Sequence, residues 1–223
     1  MKILKFQLIL FASLLFFSAK SQEKQEDKII ASAKVLNDFG EMKESIPKQL
    51  LEITEGIIIV PKLINGAFVV GGKRGKGVAM VKLKENTWSN PVFVTITGGS
   101  VGLQIGLQAV DLVLIFKDKA TLENIGRGSF TLGGDISATA GPLGRNSTAS
   151  TDYKLEAEVY SYSRSKGLFA GISITGAAIA VDAKSNEAFY GEETDAKTLF
   201  SDDDNNAESV KELKKSLNDL YRQ

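Results

Sequence analysis

Glycine is distributed very unevenly along this chain, and that distribution constrains the fold more than any other feature of the sequence. Of the 21 glycines, all except Gly40 lie between Gly56 and Gly191. Within that zone they lie in and between apolar segments such as Ile57–Val60 and Leu103–Phe116. Glycine inside a strand usually marks a bulge, a tight bend or a close approach of another backbone. The distribution therefore predicts an α+β fold, whose core is a curved antiparallel β-sheet or partly closed barrel, with helices at both ends.

The glycine zone is predicted to contain short strands separated by turns. Gly71–Gly77 carries three basic residues and is predicted to be the exposed turn of a hairpin. One or two helical turns are predicted at Lys119–Ile125. Runs rich in β-branched and aromatic residues predict the strands, which are Ile57–Val60, Ala67–Val70, Val78–Leu83, Trp88–Thr97, Leu103–Phe116, Phe130–Thr139, Ala157–Arg164 and Leu168–Val181.

Helical periodicity appears on both sides of the glycine zone. Before it, apolar residues recur at three- and four-residue steps from Ile29 to Phe39, Gly40 is a plausible stop, and a short second helix is predicted to begin at Pro47. After it, an acidic run at 202–206 precedes an apolar stripe, formed by Val210, Leu213, Leu217 and Leu220. This stripe is narrow and poor in aromatic residues, so docking on the chain's own domain is favoured over a membrane-surface helix.

The first 21 residues are predicted to be a secretory signal peptide. Lys2 and Lys5 precede an almost wholly apolar run, Leu8–Phe17, and Ala19-Lys20-Ser21 places small residues at the two positions read by a signal peptidase. The apolar run is short for a membrane span. The predicted mature chain loses three lysines, so it has 24 basic and 27 acidic residues and a net charge of −3. We therefore expect an exported protein that is periplasmic, secreted or peripheral at the envelope membrane. Its expected parts are a helical segment at 22–55, a β core at 56–191 and a C-terminal segment at 192–223.

The chain has no histidine and no cysteine, and this excludes several kinds of chemistry. Disulfides, thiolate or imidazole metal sites and the usual serine hydrolase triad all need one of those residues. Gly98-Gly99-Ser100-Val101-Gly102 matches a nucleophile elbow, but Ser100 has no histidine base. We therefore predict no enzymatic activity and no cofactor; a hydrolase that uses two carboxylates remains an alternative, although the sequence singles out no pair.

Three further motifs fail on inspection or say little about function. Gly71–Gly77 lacks the Gly-Lys-Ser/Thr offset of a phosphate-binding loop. Asp202–Leu213 begins like a calcium loop, but alanine stands at the sixth position and leucine at the twelfth. Asn146-Ser147-Thr148 is a glycosylation sequon and indicates a surface loop.

Several long motifs in a fixed order make the chain similar to a known family. They are Thr97–Gly106, Asp111–Leu114, Phe130–Asp135, Ala140–Arg145 and Tyr160–Gly171. On these motifs the chain strongly resembles the SYLF domain family, with its bacterial exported branch looking closest. The resemblance implies binding to lipid membranes, including phosphoinositide-containing ones among eukaryotic members. The yeast members also bind actin, a partner we do not expect for an exported protein.

The resemblance and the charge pattern together predict a headgroup-binding surface. Basic residues at exposed turns are expected to pair with the phosphates of anionic phospholipid, with arginine bidentate; they are Lys73, Arg74, Lys76, Arg164 and Lys166. Three other residues are expected to brace the fold. Asp111, in an apolar strand, needs an internal partner, and Asp135 and Arg145 are expected to pair with each other. A structural or protein-interaction module of the envelope, without a lipid ligand, is the alternative function.

Overall fold

The computed structural model describes residues 2–42, 46–84, 87–141, 155–170, 172–191 and 193–222. For residues 2–20, 67–70, 100–106 and 126–127 it describes the backbone alone. Arg145 and the sequon at Asn146 lie outside the described residues, so the expected Asp135–Arg145 pair stays a prediction.

Two very long antiparallel strands form the centre of the fold. β1 runs from Gly56 to Val81 and β2 from Val92 to Phe116, and they pair along almost their whole length. The pairing is interrupted by two register shifts, between Val60 and Leu63 and between Ala67 and Val69. We call this pair of strands the ribbon. The prediction of a hairpin turn at Gly71–Gly77 is therefore wrong, because those residues lie inside β1 and pair with β2.

The ribbon curls so far that β1 returns to its starting point. The backbone N–H of Lys82 donates to the carbonyl oxygen of Glu55 at 2.8 Å. A Cβ atom at Gly77 would lie 2.0 Å from the carbonyl oxygen of Ile59, so only glycine fits there. A Cβ at Gly75 would lie 2.6 Å from the Val60 side chain. The predicted role of glycine, a close approach between backbones in a curved sheet, is confirmed at these positions.

Five shorter strands complete a seven-stranded sheet within the described part of the chain, in the order β3-β7-β2-β5-β4 with β1 on β2 and β6 on β5. The sheet is mixed, because β4 runs parallel to β5 while the other pairs are antiparallel. The short strands are β3 at Phe130–Thr131, β4 at Ala138–Ala140, β5 at Val159–Ser165, β6 at Leu168–Phe169 and β7 at Ala177–Val181. The α+β class with a curved sheet is as predicted; the long ribbon and the parallel pair were not.

Helices surround this sheet, and most follow the predicted periodicity. The N-terminal helix is much longer than predicted, and the C-terminal helix begins just before its predicted stripe. Two helices inside the last third of the chain were not predicted. The helices are α1 at Lys2–Glu41, α2 at Lys48–Glu52, α3 at Lys119–Glu123 followed by a 3-10 turn at Asn124–Arg127, α4 at Ala183–Tyr190, α5 at Ala196–Ser201 and α6 at Glu208–Tyr221.

The sheet is buried on both faces at the base of the ribbon, because alternate residues point to two separate cores. Ile57 and Ile59 belong to a core shared with α1, α2, α4 and α6. Ile58 and Val60 belong to a core shared with α3 and α5. The stripe on α6 is fully part of the first core, with Leu213 and Leu217 at 0% exposure. The prediction that this helix docks on its own domain is thus confirmed. We call the face of the sheet toward the first core the α1 face.

Candidate functional site

Lys73 and Lys76, two of the basic residues predicted to bind headgroups, make internal contacts instead of standing free at a turn. Lys73 is 6% exposed in β1, and its ammonium group donates to the carbonyl oxygen of Ser173. Burial holds the pKa of Lys73 below its ordinary value. Lys76 Nζ lies 2.6 Å from Asp182 Oδ2, although about half of the lysine side chain is exposed. The contacts of Lys73 leave little of it for a ligand, whereas Lys76 is reachable from solvent.

Asp182 joins Lys76 to the start of α4. Its carboxylate accepts hydrogen bonds from the backbone N–H and the hydroxyl of Ser185, so it caps the helix while pairing with Lys76. Burial acts to raise the pKa of the Asp182 carboxyl, but the hydrogen bonds from Lys76 and Ser185 outweigh burial and hold the pKa below its ordinary value. The carboxylate is therefore ionised at neutral pH.

Arg164 is held by two carboxylates from different elements. Its Nη2 atom donates to Asp111 Oδ2 at 2.9 Å and also to Asp38 Oδ2 of α1. The guanidinium lies over the ring of Phe39, 5.8 Å from the centroid. Asp111 additionally accepts from the backbone N–H of Lys62. The predicted internal partner of Asp111 is thus confirmed, and Arg164 ties α1 to the sheet.

Arg74 and Lys166 are the two predicted residues that have exposed side chains and no ion-pair partner among the described residues. Arg74 lies in β1 on the same side of the strand as Lys76, because side chains two residues apart share a face. Lys166 has φ 52 and Gly167 has φ 78, which is the backbone of a tight two-residue turn between β5 and β6. The sequence predicted a break here, between the strands Ala157–Arg164 and Leu168–Val181, and that break is confirmed. The division of the second predicted strand into β6 and β7 was not predicted.

A cluster of cations on α1 and β1 was missed by the sequence reasoning. The Lys28 ammonium lies over the ring of Phe93, 5.0 Å from the centroid, and donates to Gln25 Oε1. Burial, together with the nearby charges of Lys76 and Lys24, lowers the pKa of Lys28 to about 8, while Asp182 acts in the opposite direction. We call Lys24, Lys28 and Lys76 the lysine cluster. Lys24 and Lys28 are four residues apart on α1, but Lys76 lies 48 residues beyond Lys28, so no local pattern brings all three together.

Asp135 has a local role. Its Oδ2 atom accepts from the backbone N–H of Thr131 at 2.8 Å, within the tight turn that follows β3. Asp135 is exposed. Its carboxylate stabilises that turn, which is one of the motifs that carry the family resemblance.

The proposed nucleophile context of Ser100 is not present. The backbone of Ser100 lies within β2 and pairs with Gly71, whereas a nucleophile elbow joins a strand to a helix. Among the described residues, no group of three or more carboxylates is arranged to hold a metal ion. In the same part of the chain, no helix is both long and apolar enough to cross a membrane.

Comparison with known proteins identifies the family. The model of the Ysc84 family, described as "Las17-binding protein actin regulator", matches residues 97–220. The chain belongs to this family, which is the SYLF family that its motifs resemble.

Similar proteins come from fungi and vertebrates. "LAS seventeen-binding protein 3" of Saccharomyces cerevisiae is 35% identical over 187 residues, covering 82% of this chain and 40% of the yeast protein. "SH3 domain-containing YSC84-like protein 1" of Rattus norvegicus is 30% identical over 206 residues, covering 91% of this chain and 60% of its own length. The chain thus spans between two fifths and three fifths of the length of these relatives.

The family description and the name of the yeast relative describe binding or regulation, and none of the names describes an enzymatic activity. These names agree with the expectation of a binding protein, and they do not name a lipid as the ligand. The description of the family as an actin regulator weighs against our expectation that actin is not a partner. The bacterial branch and the predicted export stay predictions.

Proposed function

We propose that this chain is a non-enzymatic protein that binds anionic phospholipid surfaces, including phosphoinositide-like headgroups, through cations on helix α1 and on the α1 face of the sheet. The observation that carries the proposal is the lysine cluster. Burial is the largest cause that lowers the pKa of Lys28, and the nearby charges of Lys76 and Lys24 lower the pKa further. Asp182 is the one carboxylate that acts on Lys28 in the opposite direction among the described residues. The cluster therefore carries excess positive charge that an anion would stabilise.

Arg74 extends the lysine cluster along β1. It lies two residues from Lys76 on the same side of the strand, with an exposed side chain and no internal ion-pair partner among the described residues. A guanidinium binds phosphate through two parallel hydrogen bonds, and a lysine acts as a point charge. Each basic residue near an anionic membrane contributes about 1 kcal/mol to binding. The proposed surface thus keeps Arg74 and Lys76 from the predicted residues and adds Lys24 and Lys28.

Cosedimentation with vesicles tests this function. The chain is mixed with phosphatidylcholine vesicles, with or without phosphatidylglycerol or a phosphoinositide. We expect pelleting with the anionic vesicles that weakens as salt is raised, because exposed charges are screened. The double variant K24Q/R74Q is expected to bind about thirtyfold more weakly, since it removes two cations worth about 1 kcal/mol each and about 1.4 kcal/mol corresponds to a tenfold change.

A matched control keeps the change in net charge the same. Lys197 on α5 and Lys211 on α6 are also exposed, and K197Q/K211Q removes the same two charges from elsewhere. Equal loss in both double variants would mean that net charge alone drives binding. Equal pelleting of the unmodified chain with neutral and anionic vesicles would contradict the proposed function.

A protein-interaction module is the second candidate, favoured by the description "Las17-binding protein actin regulator". Cosedimentation of the chain with actin filaments, in the absence of lipid, tests it. Saturable pelleting that K24Q/R74Q leaves unchanged, with no pelleting on anionic vesicles, would replace the lipid proposal with this one.

A further inference from the structure

The middle of the ribbon contains no charged residue. The sequence from Leu63 to Gly72 and from Gly98 to Val110 has no Asp, Glu, Lys or Arg, although charged residues make up 24% of the chain. The two stretches pair with each other across the ribbon. A surface element of this size normally carries charge, because charge keeps exposed strands soluble and unpaired.

Part of this uncharged region is exposed on the α1 face. Ile64 pairs with Ala109, and Gly66 pairs with Leu107, so the side chains of Ile64, Ala109 and Leu107 point to one face. Leu107 is 79% exposed and Ile64 is 39% exposed. A Cβ atom at Gly66 would lie 3.2 Å from the Leu107 side chain, so the leucine lies over the backbone of a glycine. This apolar face continues the α1-side core beyond the point where α1 covers it.

The boundary between the covered and exposed parts lies at Asp111. Val113, two residues along β2, is fully buried under the first core, whereas Ala109, two residues the other way, is exposed. On the opposite face at this level, Leu63 and Val110 are still buried. Among the residues whose side chains are described, the exposed apolar side chains next to Asp111 therefore lie on the α1 face, on the side of the boundary away from the first core.

Cations flank this apolar surface at its base. Lys62 lies in the β1 bulge beside Asp111, and Lys166 lies in the turn after β5, where Ser165 Oγ donates to the Ala109 carbonyl oxygen. Both lysines are exposed and have no ion-pair partner among the described residues. Leu107 lies two residues beyond Ala109, which corresponds to about 7 Å along a strand. The apolar residues thus extend past the cations by roughly the depth, ~5–10 Å, to which peripheral elements enter the headgroup region.

We propose that the exposed face of the ribbon around Ile64 and Leu107 inserts into the membrane interface, while Lys62 and Lys166 pair with the phosphates around it. The proposal rests on the proposed function, because it names the element through which the lipid surface is engaged. It adds an apolar contact, at the uncovered end of the sheet, to the electrostatic surface at the lysine cluster.

A second copy of the chain is a poorer occupant of this surface. A two-fold symmetric dimer through the ribbon would bring Lys62 and Lys166 of both copies to one interface, so it would collect four like charges there. An anionic lipid surface is complementary to both features, since it supplies phosphates at the level of the lysines and acyl chains beyond them.

Site-specific labelling tests the proposal directly, because the chain contains no cysteine. Leu107→Cys is labelled with an environment-sensitive fluorophore, and Ile53→Cys, 41% exposed at the end of α2, is the matched control. On vesicles of phosphatidylcholine with phosphatidylglycerol, we expect a blue shift and quenching by lipids with a spin label in the acyl chain at position 107. We expect neither at position 53.

Each other outcome overturns the inference in a recognisable way. If the unlabelled chain cosediments with the vesicles but the label at 107 stays in water, the ribbon does not insert and the proposed function stands. If the unlabelled chain does not bind vesicles, the proposed function fails and the inference fails with it. A blue shift at 107 without vesicles that grows with protein concentration would identify a second copy as the occupant, and equal shifts at both positions would indicate nonspecific adsorption.

An unlabelled variant gives a second, independent measurement. Leu107→Glu is expected to weaken partitioning to the same vesicles about tenfold, because it removes an apolar side chain that would be buried on insertion and adds a repelled charge. Ile53→Glu carries the same change in charge on a surface that does not insert, so it is expected to partition like the unmodified chain. Equal partitioning of the two variants would overturn the inference.

Discussion

The base of the ribbon and its middle have similar apolar sequences and opposite surroundings. At its base, Ile57 and Ile115 pair with each other and are fully buried between the sheet and the helices of the first core. Farther along the same two strands, Ile64 and Leu107 are exposed. The difference lies in what covers the strands and not in the strands themselves. An apolar strand therefore identifies a contact surface, and the neighbouring helices decide whether the contact is internal.

The largest expected difference between the base and the middle of the ribbon is in their contribution to stability. Ile57→Ala is expected to lower the free energy of unfolding by about 2–4 kcal/mol, because it leaves a cavity in the first core. Leu107→Ala is expected to change the free energy by less than about 0.5 kcal/mol, since the side chain is mostly in water. Urea unfolding followed by circular dichroism measures both. Similar losses for the two variants would mean that the Leu107 side chain, in the middle of the ribbon, is packed against other residues in solution.

Glycine substitutions sharpen the same comparison at the backbone. Gly77→Ala is expected to cost about 1–3 kcal/mol or more, because its Cβ would collide with the carbonyl oxygen of Ile59 where the ribbon closes on itself. A Cβ at Gly99 meets no atom within 4 Å, so Gly99→Ala is the control and is expected to be nearly neutral. Thermal unfolding separates the two variants. A neutral Gly77→Ala would contradict the closure of β1.

Arg164 lies beside Asp111, at the boundary between the covered base and the exposed middle of the ribbon. Arg164→Met is expected to destabilise the chain by about 1–2 kcal/mol, because two partly buried carboxylates, on Asp38 and Asp111, lose their shared cation. Lys34 also pairs with Asp38, at 3.3 Å, but its side chain is 75% exposed. Lys34→Met is therefore expected to be nearly neutral in the same urea experiment. Equal effects would show that Arg164 contributes only a surface charge.

The smallest expected effect is a pH dependence at the lysine cluster. The pKa of Lys28 is about 8 in the folded chain and 10.5 when unperturbed. Between these values the unfolded chain holds a proton that the folded chain has lost, so stability rises with pH from about 8 toward 10. Lys28→Met is expected to remove that part of the rise, leaving Lys24, Lys76 and Asp182 in place.

The comparison of the two proteins is made below pH 10. Burial raises the pKa of Tyr162, Tyr190 and Tyr221, so these groups lower stability in both chains at higher pH. Free energies of unfolding at pH 7 to 10 for the unmodified chain and for Lys28→Met provide the measurement. Parallel curves would contradict the lowered pKa of Lys28 and weaken the evidence for crowded cations there.

The sequence predicted the parts of this fold that depend on local pattern. Helical periodicity identified α6 and its docking face, and the position of Pro47 identified α2. Gly71–Gly77 was misread because clustered glycines and lysines are typical of a turn, whereas here the glycines permit contact between the two ends of one strand. That contact joins Gly77 to Ile59, and no local pattern encodes it.

The candidate site was predicted only in part for the same reason. The basic residues of β1 were identified by type, and Asp111 was correctly expected to need a partner. Some of these basic residues form ion pairs with carboxylates on other elements of the fold. Asp38 of α1 and Asp182 at the start of α4 are examples, and the sequence alone does not show that they lie nearby. Lys28 was missed because its environment is formed by Phe93 and Lys76, from two other elements.

The return of β1 to its own starting point has a consequence for how this architecture varies. Since Glu55 and Lys82 are joined by a backbone hydrogen bond, the outer part of the ribbon leaves and re-enters the core at neighbouring places. Its length is then independent of the core. Pairs of residues added to or removed from both strands would change its reach while leaving the helices and their contacts as they are, so members of one family can differ in how far this element extends.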